Sequence, residues 1–118
     1  MRRVRSSGAR TSSIPTDNTI VSAFEAAVGV AEEAKLPLYA GDTDSVARGA
    51  LAALGFNYFD VGRQTGDVVV RVLKGEAPGE IPVKVAAGTD LVINKSAAGK
   101  MGVTFSDAVL TRANKVIE

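Results

Sequence analysis

Pro37-Leu38-Tyr39-Ala40-Gly41-Asp42-Thr43-Asp44-Ser45-Val46 carries more information than any other ten residues of this 118-residue chain. It begins as a short apolar strand opened by a proline. It ends in a glycine, two aspartates and two hydroxyl residues, where a helix can start. In α/β proteins the loop beyond a strand's carboxyl end is where ligands sit, because the neighbouring crossovers leave a crevice there. Hydroxyls and backbone N–H groups at a helix start suit a ligand's carboxylate, and aspartates suit an ammonium or hydroxyls. The same residue types also cap helices, so Thr43, Asp44 and Ser45 are equally candidates for closing the first turn of a following helix.

Upstream, a strand end runs into polar residues in the same way. Ile14-Pro15-Thr16-Asp17-Asn18-Thr19 reads as the tail of a strand running into a cap, with Asp17 or Asn18 accepting the free N–H groups of the first turn. Val21, Phe24, Val28 and Ala31 then recur at helical spacing. The helix should stop near Lys35, because Leu36 precedes Pro37 and is pushed toward extended backbone. Strand end, polar loop, helix, strand, polar loop is half of a parallel βαβ arrangement. In it the two polar loops, Thr16 to Thr19 and Gly41 to Ser45, fall at one edge of the sheet and face one crevice.

Downstream, Thr43 to Arg48 reads as a short helix, and Gly49 to Phe56 fits a helix or a strand-length run. Asn57 to Lys74 reads as a helix with Val61, Val68, Val69 and Val72 on a broad face and Gly75 as its stop. Gly62 and Gly66, four apart, would let that helix pack closely on a neighbour. Ile81 to Val85 and Asp90 to Asn94 read as short strands, and Ser96 to Met101 and Ser106 to Val116 as two final helices.

Hydrophobic residues make up 46% of the chain, which requires a packed core, built mainly of Ala, Val, Leu and Ile because there are two Tyr, four Phe and no Trp. Cysteine and histidine are both absent. That removes disulfides, thiolate metal sites, Ser-His-Asp and Cys-His catalysis and the commonest zinc sites. Arg2, Arg3, Arg5 and Arg10 crowd the start, with no acid among them, whereas the other 108 residues carry ten basic and thirteen acidic side chains. The globular part therefore has no basic balance pointing to nucleic acid. Residues 1–13 read as a disordered basic tail without the apolar run of a secretory signal, leaving 14–118 as the folded part.

Several catalytic and metal patterns can be tried on the acidic loop. Leu36 to Val46 resembles the D-x-D-x-[TV] signature of haloacid-dehalogenase-type phosphatases. There the resemblance implies an attacking Asp42, Asp44 as acid/base, and Mg²⁺ bridging phosphate and carboxylates. Gly41 interrupts the strand before Asp42, and no paired acids follow for the metal. As a calcium loop the stretch fails, since the twelfth position is Ala53 rather than Glu. Gly62-Arg63-Gln64-Thr65-Gly66 lacks the lysine of a phosphate loop. No metal or cofactor is expected, and binding outweighs catalysis on residue chemistry.

A longer resemblance orders these fragments. Ile14-Pro15-Thr16-Asp17-Asn18-Thr19-Ile20-Val21-Ser22-Ala23-Phe24-Glu25 is similar to a segment of ABC-transporter substrate-binding proteins of the tryptophan/tyrosine type. Ala31 to Pro37, Ala40 to Val46, Arg48 to Phe56, Asp60 to Gly66, Leu73 to Pro82, Asn94 and Arg112 to Glu118 continue it. The resemblance implies an incomplete α/β fold of the periplasmic-binding-protein type I class, with parallel βαβ units of a flavodoxin-like lobe. It implies that residues 14–118 are the carboxy-terminal third or so of a two-lobed receptor that closes on a small ligand, such as an aromatic amino acid, and serves an ABC permease outside the cytoplasm. It makes Gly49 to Phe56 a strand and Asn57 to Lys74 a helix packed on the opposite lobe. It places Thr16, Asp17, Asn18, Asp42, Thr43 and Asp44 at the cleft as ligand contacts, a carboxylate pairing with the ligand ammonium and Thr43 with its carboxylate. A fragment of this kind leaves sheet edges and the inter-lobe face uncovered, so self-association or a companion chain completing the fold is expected.

Overall fold

Five short strands form one sheet in chain order. The computed structural model describes residues 10–87 and 89–118; most of the segment read as a basic tail, residues 1–9, lies outside them. The strands are β1 (Ser12–Ile14), β2 (Leu38–Ala40), β3 (Ala52–Phe56), β4 (Thr89–Asn94) and β5 (Lys115–Ile117). β1, β2 and β3 are parallel, β4 runs antiparallel to β3, and β5 is parallel to β4. The carboxyl ends of the first three strands and the amino ends of the last two therefore share one edge.

The connection after β1 is helical, as its spacing predicts, but broken. Asp17 accepts from the Thr19 and Ile20 N–H groups at 2.9 and 3.1 Å and starts α1 (Asn18–Ser22). Ala23 leaves helical backbone, and α2 (Phe24–Ala34) begins anew. It ends with Lys35 in the left-handed region, just before the Leu36-Pro37 pair. α2 buries Phe24, Val28 and Ala31. They meet Leu38 and Ala40 of β2, Ala53 of β3, Val92 of β4, and Ala98 and Met101 of α5 (Lys95–Met101). Between β2 and β3 lies the four-residue α3 (Asp44–Ala47), which adds Val46 to the same core. A buried amide ties the core together: Asn94 Nδ2 donates to the Val46 carbonyl at 2.9 Å, and its Oδ1 accepts from the Ala97 N–H, capping α5. Burying that amide is tolerable because both its ends are paired.

On the surface beside this core, Arg48 makes a bidentate pair with Glu25, also donates to the Val21 carbonyl, and lies 5.2 Å from the Phe24 ring centre. The Arg48 hydrogen bond holds the Glu25 carboxyl down at about 2.

The second face of the sheet is only partly covered. Tyr39, Leu54 and Phe56 point there, and the segment from Val103 through α6 (Asp107–Arg112) covers Ile93 and Ala52 but leaves Leu54 64% exposed. Between β3 and β4 the chain leaves the sheet. α4 (Tyr58–Leu73) buries none of its sixteen residues. It pairs with the returning strand of chain: Gln64 exchanges two 3.0 Å hydrogen bonds with the Ala87 backbone, and Arg71 chelates Glu76. That ion pair lowers the Glu76 carboxyl and raises the Arg71 guanidinium. The radius of gyration is 18.2 Å, against about 13.5 Å for a compact chain of this length. Residues 57–87 thus form an arm standing off the sheet.

Four sequence expectations change. Ile81 to Val85 is extended chain without a strand partner, because Pro82 lacks a donor and Val83 and Val85 face outward. Ser106 to Val116 is not one helix: α6 ends at Arg112, and pairing with β4 draws Lys115–Ile117 into β5. Gly62 and Gly66 face open space, not a close neighbour, among the described residues. β1 begins at Ser12, two residues inside the segment read as tail, held by the Ser12 N–H on the Pro37 carbonyl at 2.8 Å.

Candidate functional site

The loops after β1 and β2 touch. The Gly41 N–H donates to the Ile14 carbonyl at 2.8 Å. A side chain at Gly41 would place its Cβ 3.1 Å from Thr16 Oγ1 and 3.2 Å from the Thr16 nitrogen, so any larger residue would push the two loops apart by a few tenths of an ångström. A Cβ at Gly55 would likewise lie 3.2 Å from Thr43 Cγ2. Thr16, Gly41, Thr43 and the end of β3 therefore stand side by side along the shared edge, as the βαβ reading required.

Within this row the six sequence-nominated residues divide. Asp42 is turned inward: Oδ1 accepts from the Ser45 N–H and Oδ2 from Ser45 Oγ, both at 2.8 Å. It caps α3, while Thr43, at the cap position itself, makes no capping bond with its side chain. Asp17 is also committed, through Oδ1, to the cap of α1. Thr16 and Asn18 are exposed beside it. Thr43 and the exposed Asp44 line a crevice of about 620 Å³.

The other wall of that crevice was invisible in the sequence. It is made by Asp90 at the start of β4 and by Asn114 and Lys115 at the start of β5. Asn114 is locked in place, its side chain accepting from the Leu91 N–H and its own N–H donating to the Leu91 carbonyl, each at 2.8 Å. Asp90 Oδ2 accepts from Asn57 Nδ2 at 3.2 Å. Asn57 is the residue directly after β3, and its Oδ1 caps α4 through the Phe59 and Asp60 N–H groups. Asn57 was the one readable signal, being a third polar residue following a strand. Asp90, Asn114 and Lys115 reach the edge only because β4 turns antiparallel.

The crevice thus offers two carboxylates, a hydroxyl, an amide and an ammonium across its two walls. No three acidic side chains cluster as a metal site among the described residues, and no described helix is long and apolar enough to cross a membrane.

Comparison with known proteins fits this geometry. The model of a family described as ABC transporter substrate binding protein matches residues 3–117. The match reaches back through the arginine-rich start, which the sequence resemblance had left out. A tyrosine-binding protein of Clostridioides difficile (strain R20291) is 40% identical over 82 residues, 70% of this chain and 24% of the relative. A conserved domain protein from Vibrio cholerae O1 biovar El Tor superposes with a TM-score of 0.77 at 46% identity, covering 88% of this chain and 35% of that one. An ABC domain from Streptococcus pneumoniae in complex with L-Trp does so with a TM-score of 0.77 at 39% identity, covering 89% and 36%. The chain spans about a quarter of the curated relative and about a third of the solved structures. The incomplete periplasmic-binding-protein type I arrangement stands. The phosphatase alternative finds no support: the matched family is one of binding proteins, and both oxygens of Asp42 are engaged by Ser45.

Proposed function

This chain belongs to the ABC transporter substrate-binding protein family, and from that premise we propose that it forms one wall of a cleft that captures a free amino acid, without catalysis, for an ABC permease. The observation that carries the reading is the crevice at the sheet edge, where Asp44 and Asp90 stand opposite in charge to Lys115. A zwitterion needs both signs, with a carboxylate for its ammonium and an ammonium or N–H donors for its carboxylate. Asp44 and Thr43 are the contacts in this reading, with Thr16, Asp17 and Asn18 extending the wall beyond the crevice. Asp42 contributes by holding the loop through Ser45. An aromatic side chain on the ligand is suggested by the relatives, one named for tyrosine and one solved with L-Trp. Membership of this family supports a permease partner and an extracytoplasmic place of action.

The binding reading is tested by thermal melts with L-tryptophan, L-tyrosine and the other common amino acids. At a hundred times its dissociation constant a ligand adds about 2.7 kcal/mol of stability. That gain should vanish in Asp44→Ala, whose exposed side chain carries no capping bond, whereas Asp42→Ala would confuse binding with loss of a cap. A cooperative melt that no amino acid moves overturns the reading.

The uncovered surfaces call for a cover. With α4 and Leu54 exposed, we expect self-association or a companion polypeptide completing the layers. Light scattering at micromolar concentration should show a mass above the monomer. A monodisperse monomer would rule self-association out.

A further inference from the structure

Asp90 stands at two places at once. It lines the crevice with Thr43, Asp44, Asn114 and Lys115. It is also the residue that the arm grips: Asn57, at the root of α4, donates to its Oδ2 at 3.2 Å. The arm is joined to the sheet by two neighbouring strands, β3 leaving at Phe56 and β4 returning at Thr89, which pair with each other. No residue of α4 is buried against the sheet. Among the described residues the Asn57–Asp90 bond is the side-chain hydrogen bond that joins these two crossing points, and the same Asn57 fixes the first turn of α4. Among the described residues no hydrogen bond occupies Asp90 Oδ1.

We propose that Asp90 couples the crevice to the arm, one carboxylate oxygen receiving the ammonium of a bound amino acid and the other holding Asn57 and, through it, the direction of α4. The ligand half of this proposal rests on the amino-acid reading above; the arm half does not. A cation drawn to Oδ1 polarises the whole carboxylate and competes with the Asn57 amide for it, so occupancy of the crevice changes the grip on the arm. This makes Asp90 a contact residue and Asn57 a positioning residue that never meets the ligand.

The chain has no cysteine, so Ala26→Cys on α2 and Val70→Cys on α4 give two clean spin-label sites in the full chain, both exposed. Pulsed electron resonance then reads the sheet-to-arm distance distribution. Asn57→Ser keeps an acceptor for the α4 cap but removes the donor to Asp90. Its distribution should be wider than the parent's at equal helix content by circular dichroism, and Asp90→Ala should reproduce that width. Asp90→Asn can still accept from Asn57 and should keep the narrow distribution. Without its charge, however, it should lose L-tryptophan affinity about ten-fold or more. L-Tryptophan should shift the parent distribution and leave that of Asn57→Ser unmoved. Equal widths in the parent and Asn57→Ser, or the same L-tryptophan response in both, overturn the coupling. Failure of the parent to bind L-tryptophan, L-tyrosine or any other common amino acid overturns the ligand half together with the amino-acid reading, while the widths still decide the arm half.

Discussion

Gly49→Ala lowers folding stability by about 4 kcal/mol, the sum of two independent costs. Gly49 has a φ of +119°, a region essentially closed to residues with a Cβ. The Cβ it would gain lies 2.7 Å from Cγ1 of Val28, closer than any real carbon contact. Val28 cannot yield, because it belongs to the buried face of α2 and interiors are close-packed. The two costs are separable. In Val28→Ala the clash disappears while the backbone strain remains, so the double substitution should be less destabilised than the two singles summed. Urea unfolding of the four proteins measures this. A loss under about 1 kcal/mol in Gly49→Ala would mean that the turn between α3 and β3 is free to move.

Phe24→Ala costs about 3 to 5 kcal/mol, the range for emptying a large buried aromatic site. Phe24 is fully buried and is the first residue of α2, where the chain restarts after Ala23. Its ring both fills the space above the sheet and carries the Arg48 guanidinium at 5.2 Å. The substitution therefore leaves a cavity and removes a modest cation–π contact together. Phe24→Leu, which refills most of the volume, should recover more than half the loss. Since small domains are held by about 5 to 15 kcal/mol in all, either alanine variant should show a melting temperature many degrees below the parent. A loss below about 2 kcal/mol for Phe24→Ala would place the core elsewhere.

What could be read from the residues was whatever local chemistry decides. The cap at Asp17, the stop before Pro37 and the strand at Leu38–Ala40 follow from side chains acting within a few residues of themselves. The meeting of the loops at Thr16 and Gly41 followed from topology, since parallel strands joined by a helix leave their carboxyl ends together. The failures share a different cause. The strand expected at Ile81 to Val85 has the right composition but no neighbour to pair with. β5 was hidden inside a plausible helical pattern because only β4 makes it a strand. The break at Ala23 carries no glycine or proline to announce it. Asp90, Asn114 and Lys115 escaped notice because their place beside Asp44 depends on one strand reversing direction, and they lie 46, 70 and 71 residues beyond Asp44 in sequence.

The strand order has a bearing on synthesis as well as on form. Each strand lies beside the one made just before it, so a ribosome releases every strand to a partner already present. The longest pause is residues 57–88, the stretch between β3 and β4, which takes about 2 to 6 seconds to translate. Throughout that pause β3 is an open edge carrying Leu54 and Phe56, the combination most prone to pair with a stranger. β4 then arrives from the opposite direction and seals the edge along its whole length, Ala52 opposite Ile93 through Phe56 opposite Thr89. The nascent chain is thus most in need of a chaperone for those few seconds, and a slower passage through codons 57–88 would lengthen the time at risk.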